Sequence, residues 1–230
     1  MLQRLVPFLL IAALVAFAVA PVLILRAPYE STMGLVQKIF YFHAPAGIVM
    51  FLAAFVCGIN SARFLFRRSV RADHLALAAA ELTVLLGTIV LVTGPLWARK
   101  AWGVWWTWDP RLTLSLLLWM MFGAYLMVRR YGGPGAEKLA AAVGIFGMCN
   151  VPFVYISVNV WRTLHPKTTV VPSLGPGMRE PFWFCIGAYL LLFVLLLALR
   201  VRLAEQQAAL DARYLELADR APASIPGAVS

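Results

Sequence analysis

The chain contains six apolar stretches that are each long enough to cross a bilayer, since a membrane-spanning helix needs about 20 such residues. They run over residues 5–25, 44–62, 75–96, 112–128, 139–158 and 182–199. The composition agrees, because 62% of the residues are hydrophobic and only 13% are charged, whereas soluble domains carry about 25% charged residues. The sequence therefore predicts an all-α polytopic membrane protein with six transmembrane helices. Pro21 follows the plausible signal-peptidase position after Ala20, which favours a first helix that is retained.

Basic residues between the apolar stretches predict the orientation of the chain. They cluster before the first stretch, between the second and third, between the fourth and fifth, and after the sixth: Arg4, Arg63, Arg67, Arg68, Arg71, Arg129, Arg130, Lys138, Arg200 and Arg202. The positive-inside rule places these segments and both termini in the cytoplasm. Loops 26–43, 97–111 and 159–181 then face the periplasm of a bacterial inner membrane. Basic membrane-flanking loops also explain the net charge of +10 without a nucleic-acid partner.

The pattern divides the chain into a six-helix transmembrane domain, residues 1–201, and a polar cytoplasmic tail, residues 202–230. The tail is predicted to be helical up to residue 220 and disordered over its last ten residues. Within the domain, Asp73 is placed to cap the third helix, and Asn150 can hydrogen-bond to a neighbouring helix. Glu81 is an acid inside a span, with no role that the sequence defines.

Tryptophans are concentrated in the second outward loop. Five of the eight lie between residues 97 and 108, and Trp161 lies in the third outward loop: Trp97, Trp102, Trp105, Trp106, Trp108 and Trp161. An aromatic belt would decorate both membrane interfaces, but no tryptophan falls on the predicted cytoplasmic side. We therefore expect a platform for a flat hydrophobic ligand. If the loop is locally helical, Trp102, Trp105 and Trp106 share one face.

Two of the three histidines, His43 and His165, also lie on the predicted outward side. A lone histidine in such a loop is usually solvated. Two neutral imidazoles beside a tryptophan platform instead favour the axial ligands of a haem iron. His74 lies beside Asp73 on the cytoplasmic side and is interpreted as an ordinary surface residue.

Cationic residues accompany this platform, since eight of the twenty basic residues lie on the outward side. Arg99, Lys100 and Arg111 are nearest to it, and arginine matches a carboxylate such as a haem propionate with paired N–H donors. Asp109 completes the predicted site. Its favoured role is structural, either as a helix cap or as a partner of Arg111 or of an indole N–H.

Three motifs in the sequence resemble the CcmC family, the haem exporter protein C of cytochrome c maturation. Residues 102–109 read WGVWWTWD, the tryptophan-rich "WWD" signature, and are followed by the segment 111–113. Segment 37–45 and segment 161–165 agree as well. The resemblance covers residues 30–200, together with the six spans and the chain length.

The resemblance implies that haem b is held on the WWD loop between His43 and His165 at the periplasmic face. Such proteins present haem to the membrane-anchored chaperone CcmE, and they work with the small protein CcmD and the ABC transporter subunits CcmA and CcmB. The surrounding lipid is a further partner. Pro110 departs from the family pattern, which is expected to have a small residue such as alanine there.

Two other functions remain open at this stage. A haem lyase that forms the covalent haem link is the enzymatic alternative, although related lyases are usually longer, and we favour a binding and transport protein over an enzyme. A membrane b-type cytochrome would place histidine ligands deep inside the spans, where this sequence has none. Few polar residues lie within the spans, so translocation of haem by this chain alone has weak support.

Overall fold

The structure, a computed structural model, describes residues 2–31 and 33–220. Over these residues it contains six long α-helices and two short 3₁₀ turns, Leu35–Ile39 and Thr168–Val170. The helices are α1 (Leu2–Arg26), α2 (Phe40–Arg67), α3 (Val70–Trp102), α4 (Pro110–Tyr131), α5 (Ala136–Val160) and α6 (Arg179–Arg220). Each is long and apolar enough to cross a membrane. The predicted all-α fold with six transmembrane helices is confirmed, whereas the predicted disorder of the last ten residues lies outside the described part.

The helices extend beyond the apolar stretches that predicted them. Helix α3 has 33 residues and includes Trp97 and Trp102, which the sequence analysis assigned to a loop. Helix α6 has 42 residues and continues without interruption through the predicted tail to Arg220. Hydropathy marks only the part of a helix that faces hydrocarbon, so polar helix ends escape it.

Helix α2 lies at the centre of the bundle and packs against α3, α5 and α6, while α1 packs on α6 and α4 packs on α5 and α3. Small side chains dominate the contact surface of α2, including Ala46, Ala53, Ala54 and Cys57, all fully buried. Small residues allow helix backbones to approach closely where hydrocarbon surrounds the bundle. Gly144 of α5 is an extreme case, because a Cβ there would lie 2.8 Å from the Ser61 hydroxyl of α2.

Polar side chains connect the helices inside and at one end of the bundle. The Asn150 amide of α5 donates to the carbonyl of Leu114 in α4 over 3.2 Å, which confirms the predicted inter-helix bond. Arg129 donates to both carboxylate oxygens of Asp73 over 2.7 and 2.8 Å. Arg200 of α6 forms a two-point ion pair with Glu81 of α3, and this is the role that the sequence left undefined.

The prediction that Asp73 caps α3 is wrong. The helix begins at Val70, and its cap is Ser69, whose hydroxyl accepts the N–H of Ala72 over 3.3 Å. Because α3 starts five residues before its apolar stretch, Asp73 lies inside the first turn. Its carboxylate is therefore free to pair with Arg129 of α4 and to join two helices.

The end of the bundle that lies opposite the Asp73–Arg129 pair holds the predicted site. It is called here the histidine end. It comprises the start of α2, the end of α3, the start of α4, the end of α5 and the segments 27–31, 33–39, 103–109 and 161–178. Lys38 organises part of it, since its buried ammonium donates to the carbonyls of Ile24 and Ala27. These carbonyls lie at and just after the end of α1, where the carbonyls lack the full set of helical partners, so Lys38 fixes α1 against the turn that precedes α2.

Candidate functional site

A cavity of about 960 Å³ opens at the histidine end. Its wall is formed by α2, α3, α4, α5 and the connecting segments. The lining residues include Gln37, His43, Trp97, Trp106, Arg111 and His165. Pockets for cofactors and small ligands measure about 300–1,000 Å³. The cavity is therefore large enough for an extended ring system.

His43 and His165 line the same cavity. His43 lies in the first turn of α2, and His165 lies in the segment that follows α5. Their ring centroids are 6.4 Å apart, with 41° between the ring planes. The fold thus brings together two side chains that are more than one hundred residues apart in the chain.

The orientation of the His43 ring is set by Thr93 of α3. The Thr93 hydroxyl donates its only proton to the Ile89 carbonyl over 2.6 Å, so its oxygen must act as acceptor toward His43 Nδ1 at 3.0 Å. Nδ1 of His43 therefore carries the proton. In a neutral imidazole the other nitrogen, Nε2, then keeps its lone pair.

His165 adopts the same tautomer for a different reason. Its Nδ1 lies 3.0 Å from the carbonyl of Pro166, and because a carbonyl can only accept, Nδ1 must donate. Burial lowers the pKa of His165 to about 3, and the nearby charge of Arg111 contributes. The imidazole is therefore neutral at physiological pH, and its Nε2 has a free lone pair.

This arrangement has the chemistry of a two-histidine metal site. Imidazoles that ligate metals usually donate their second ring N–H to a protein acceptor, as both of these rings do. A ligating nitrogen lies about 2 Å from a first-row metal, so two imidazoles on opposite sides of one ion have centroids about 6 Å apart. The observed centroid separation of 6.4 Å is close to this value, which makes His43 and His165 candidate ligands of one metal ion.

The tryptophan segment is not a continuous helix. Helix α3 ends at Trp102 because Gly103 has a φ of 77°, a left-handed conformation that favours glycine. The predicted shared face of Trp102, Trp105 and Trp106 therefore does not form. Trp97 and Trp102 contact each other edge to face at 5.5 Å, and Trp106 contacts Trp108 in the same way at 5.7 Å.

The predicted aromatic residues divide into two groups. Trp102 and Trp106 line the cavity. Trp105, Trp108 and Trp161 do not line it, and their side chains are exposed by 57%, 76% and 49%. The three side chains of the second group are exposed at the histidine end, outside the cavity.

Asp109 has a structural role and does not line the cavity. One carboxylate oxygen accepts the N–H of Leu112 over 2.9 Å and so caps α4, with Pro110 in the first turn. The other oxygen accepts a hydrogen bond from the Thr163 hydroxyl over 2.6 Å. This confirms the capping role expected from the sequence and adds a link to the segment of His165. Pro110 suits its position because its fixed φ matches the first turn of a helix.

The three predicted cationic residues also differ in position. Arg111 lines the cavity, donates to the Val154 carbonyl over 2.5 Å and lies 5.6 Å from the centroid of the Phe51 ring. Arg99 and Lys100 are exposed and are not part of the wall. The Arg99 guanidinium instead donates to the carbonyl of Gly103, where it closes the end of α3.

Some residues of the site were not predicted from the sequence. Gln37 is a buried wall residue on the turn before α2 that no prediction singled out. Trp97 was expected in the tryptophan platform, but it lies on α3 and not in a loop. Thr93 gave no signal, because a single hydroxyl in an apolar stretch resembles any threonine that bonds to its own helix. Only the contact between α2 and α3 shows that it supports His43.

The fold and the site together define a class: a six-helix membrane protein with a tryptophan-lined cavity and two histidines at one end. The model of the family Heme exporter protein C, CcmC, matches residues 1–216. The chain therefore belongs to the CcmC family.

Individual relatives agree with this assignment. The chain is 32% identical over 213 residues to Heme exporter protein C of Escherichia coli strain K12, which covers 86% of this chain and 82% of the relative. It is 31% identical over 195 residues to Heme exporter protein C of Bradyrhizobium diazoefficiens, with 84% and 74% covered. A putative cytochrome c biosynthesis ccmC-like mitochondrial protein of Marchantia polymorpha is 30% identical over 179 residues, with 76% and 77% covered.

Proposed function

We propose that this protein binds haem at the extracytoplasmic membrane face and delivers it to the haem chaperone CcmE during cytochrome c maturation. One observation carries the proposal: His43 and His165 line one cavity with a centroid separation of 6.4 Å, and the Nδ1 atom of each ring has a hydrogen-bond partner in the protein, which leaves Nε2 for a ligand. Histidine is an established axial ligand of haem iron. The name of the two bacterial relatives, Heme exporter protein C, supports the same substrate.

In this proposal haem is the substrate, and the protein acts by positioning it. His43 and His165 bind the iron from two sides, each oriented by the hydrogen bond at its Nδ1. Trp102 and Trp106 supply aromatic wall around the macrocycle, which excludes water and buries apolar surface. Arg111 adds a positive charge to the same wall, which favours a ligand that carries carboxylates.

The exposed indoles provide the surface on which delivery would take place. Trp105, Trp108 and Trp161 lie outside the cavity at its own end of the bundle. Large aromatic side chains that are exposed in a group mark protein interaction surfaces. We propose that the chaperone docks here and takes haem from the cavity without its release into water.

The orientation and the other partners belong to the same proposal. The basic segments at the end opposite the histidines favour a cytoplasmic location for that end under the positive-inside rule. The histidine end then faces the periplasm from the bacterial inner membrane. The family relationship supports assembly with CcmD and the transporter subunits CcmA and CcmB, and haem b as the form that is bound.

Replacement of the two histidines tests the proposal directly. The full chain is purified in detergent with added haem as wild type, His43→Ala, His165→Ala and the double variant. We expect the low-spin absorption and paramagnetic resonance spectra of a bis-imidazole iron in the wild type, altered spectra in each single variant, and no stoichiometric haem in the double variant. His74→Ala is the matched control, since His74 lies on α3 outside the cavity wall. A double variant that retains the wild-type spectrum and haem content would refute axial ligation by these residues.

Delivery requires a separate measurement. The haem-loaded protein is mixed with the soluble domain of the chaperone, and the haem content of each is followed after separation. We expect haem to move to the chaperone, and Trp105→Ala with Trp108→Ala to slow this transfer while the haem spectrum of the donor is retained. If haem stays with the donor while the chaperone accepts free haem, delivery to this partner is excluded.

A further inference from the structure

Helix α6 is longer than a membrane span requires. It has 42 residues, Arg179–Arg220, whereas a crossing of the hydrocarbon takes about 20. Arg200 and Arg202 mark the level at which the helix leaves the membrane, because charged side chains are costly inside it. The rest of the helix, residues 203–220, reaches about 27 Å further and is called here the α6 extension. Every side chain from residue 206 to residue 218 is exposed.

One row of residues runs along α6 with alternating steps of four and three positions, the spacing of a coiled-coil contact. This row, called here the α6 seam, comprises Tyr189, Phe193, Leu196, Arg200, Leu203, Gln207, Leu210, Tyr214 and Leu217. Inside the bundle the seam is covered by other helices. Tyr189 lies edge to face on Phe17 of α1, with 5.5 Å between the ring centroids. Phe193 is part of the buried core, and Arg200 pairs with Glu81 of α3.

Beyond the Arg200 ion pair the same seam is exposed. Leu203, Leu210, Tyr214 and Leu217 are exposed by 52%, 48%, 70% and 63%. A straight helix drifts by only about 20° per heptad relative to this spacing, so these side chains stay on the side of α6 that packs into the bundle. A row of large apolar side chains on an otherwise polar helix marks a contact surface. The extension therefore continues a helix–helix interface past the point where the described helices cover it.

Helix α3 contributes the neighbouring surface at the same end of the bundle. Because the spans alternate in direction, α3 is antiparallel to α6 and begins where the extension lies. Val70 and Glu81 are about three turns apart on α3 and share one face. Glu81 pairs with α6, whereas Val70 is 62% exposed. The turn that leads into α3 carries three exposed arginines that take part in neither inter-helix ion pair: Arg67, Arg68 and Arg71.

The charge and the direction of the extension argue against two other occupants. Residues 203–220 include four acidic and two basic side chains, so an anionic membrane surface repels the extension. Neither glycine nor proline occurs between Ala188 and Arg220, so the helix has no residue at which it would bend onto the membrane. In a second copy the seam would again lie on the side that packs into its own bundle, so two seams do not face each other.

We propose that the α6 seam between Leu203 and Leu217 is a docking surface for an acidic amphipathic helix of a soluble protein on the side of the membrane opposite the histidine end. The apolar face of that helix packs on the leucines of the seam. Its carboxylates pair with the exposed arginines of the turn before α3. The inference goes beyond the proposed function and takes from it only the orientation, which makes this side the cytoplasm.

A synthetic peptide tests the surface. It has about 21 residues in three heptads, with leucine at positions a and d and with glutamate at positions e and g, where like charges prevent the peptide from pairing with itself. The full chain is placed in nanodiscs of zwitterionic lipid, and fluorescence anisotropy follows the labelled peptide against empty nanodiscs. We expect saturable binding to the wild type. Leu210→Glu with Leu217→Glu should weaken it at least about 10-fold, because glutamate preserves the helix but places charge on the seam.

Leu215→Glu is the matched control for these variants. Leu215 lies on the same extension and is 68% exposed, but it is not part of the seam. The substitution should change the affinity for the peptide by less than about 3-fold. If Leu215→Glu weakens binding as much as the seam variants do, or if the wild type shows no saturable binding, the inference is overturned.

The acidic character of the partner is tested separately. A peptide with lysine in place of glutamate should bind the wild type at least about 10-fold more weakly. Arg67→Gln with Arg71→Gln should weaken binding of the glutamate peptide and reduce its dependence on salt. Arg130→Gln is the control, since Arg130 is exposed at the end of α4, and it should leave both unchanged. Equal affinities of the two peptides would contradict an acidic partner.

Two further measurements identify the other occupants. If light scattering shows a dimer for the wild type and a monomer for Leu210→Glu with Leu217→Glu, the seam joins two copies and the inference is wrong. It is also wrong if deletion of residues 221–230 raises the affinity for the peptide about 10-fold, because the end of this chain then covers the seam. Haem binding through His43 and His165 should be unchanged in all these variants, since the extension lies at the opposite end, so failure of the inference leaves the proposed function intact.

Discussion

Asp109 is joined to Thr163 by a hydrogen bond of 2.6 Å that links the tryptophan segment to the segment of His165. The same Thr163 oxygen accepts the backbone N–H of His165 over 3.0 Å. Asp109 also caps α4 through its other oxygen. A continuous series of hydrogen bonds therefore runs from the start of α4 to the backbone of His165, so that Asp109 holds the segment of His165 without lining the cavity.

Asp109→Asn separates the two roles of this residue. Asparagine caps helices about as well as aspartate, but its amide NH₂ cannot accept the Thr163 proton if the side-chain oxygen keeps the cap. We expect Asp109→Asn and Thr163→Val to weaken haem binding about 10-fold, in line with losses at supporting residues of metal ligands, with a shift toward a single-imidazole spectrum. Asp109→Ala should lose the cap as well and cost about 1 kcal/mol more in unfolding free energy. A wild-type haem spectrum in Asp109→Asn would show that the link does not position His165.

Thr93 has the corresponding role for His43. Thr93→Val preserves the shape of the side chain and removes the oxygen that accepts from Nδ1. We expect haem affinity to fall between about 10- and 100-fold, because the ring is free to rotate and Nε2 no longer faces the iron. Thr93→Ser, which keeps the acceptor and its bond to Ile89, should retain most of the affinity. Both variants are compared by haem titration, and equal affinities for valine and serine would contradict the prediction.

The sequence predicted the residue types of this site better than their grouping. His43 and His165 could be identified because histidines are rare in this chain and both fall outside the centres of the spans. Thr93 could not, because its contact with His43 joins residues fifty positions apart. Trp105 and Arg99 were grouped with Trp102 by their proximity in the chain. Gly103 ends α3 between Trp102 and Trp105, so these two indoles have different surroundings. Arg99 lies on α3 with Trp102, but its guanidinium donates to the carbonyl of Gly103 and not toward the cavity.

The fold was predictable for a related reason. In hydrocarbon every backbone N–H and C=O group must be hydrogen-bonded within the protein. Apolar stretches of this length that do not form a closed barrel must therefore be helices. Helix number follows from hydropathy. Helix ends depend on polar residues such as Ser69 and Asp73, whose partners lie on other helices or in the backbone. That is why the cap of α3 was assigned to the wrong residue.

The lowered pKa of His165 predicts a pH-dependent stability of the haem-free protein. Its folded-state pKa is about 3, below the unfolded value of 6.5, so between these values the unfolded chain binds one more proton. Unfolding free energy must then fall as pH decreases through this window, by up to about 2 kcal/mol between pH 7 and pH 5. Chemical unfolding at the two pH values measures this loss, and His165→Gln should reduce it. An identical pH dependence in wild type and variant would show that His165 is not the group responsible.

The two inter-helix ion pairs should differ in their contributions. The Asp73–Arg129 pair is mostly buried, with side-chain exposures of 12% and 18%, so Asp73→Ala leaves an uncompensated cation and should cost about 3 kcal/mol. The Glu81–Arg200 pair is more exposed, and Glu81→Ala should cost at most about 1 kcal/mol. Unfolding in a detergent series measures both. Haem affinity is the internal control, since neither pair belongs to the cavity wall. A larger loss of unfolding free energy in Glu81→Ala than in Asp73→Ala would contradict the predicted order.

Two glycines test the close packing of α2, α4 and α5. A Cβ at Gly144 would lie 2.8 Å from the Ser61 hydroxyl, 3.2 Å from the Cys57 sulfur and 3.2 Å from the Tyr125 ring, so no single side-chain rotation makes room for it. Gly144→Ala should therefore lower the unfolding free energy by about 1–3 kcal/mol. At Gly123 nothing lies within 4 Å of a Cβ, and Gly123→Ala should raise the unfolding free energy by about 0.5–1 kcal/mol, because alanine loses less conformational entropy in a helix. Thermal unfolding followed by circular dichroism distinguishes the two, and equal effects would mean that α5 does not pack as closely on α2 as Ser61 indicates.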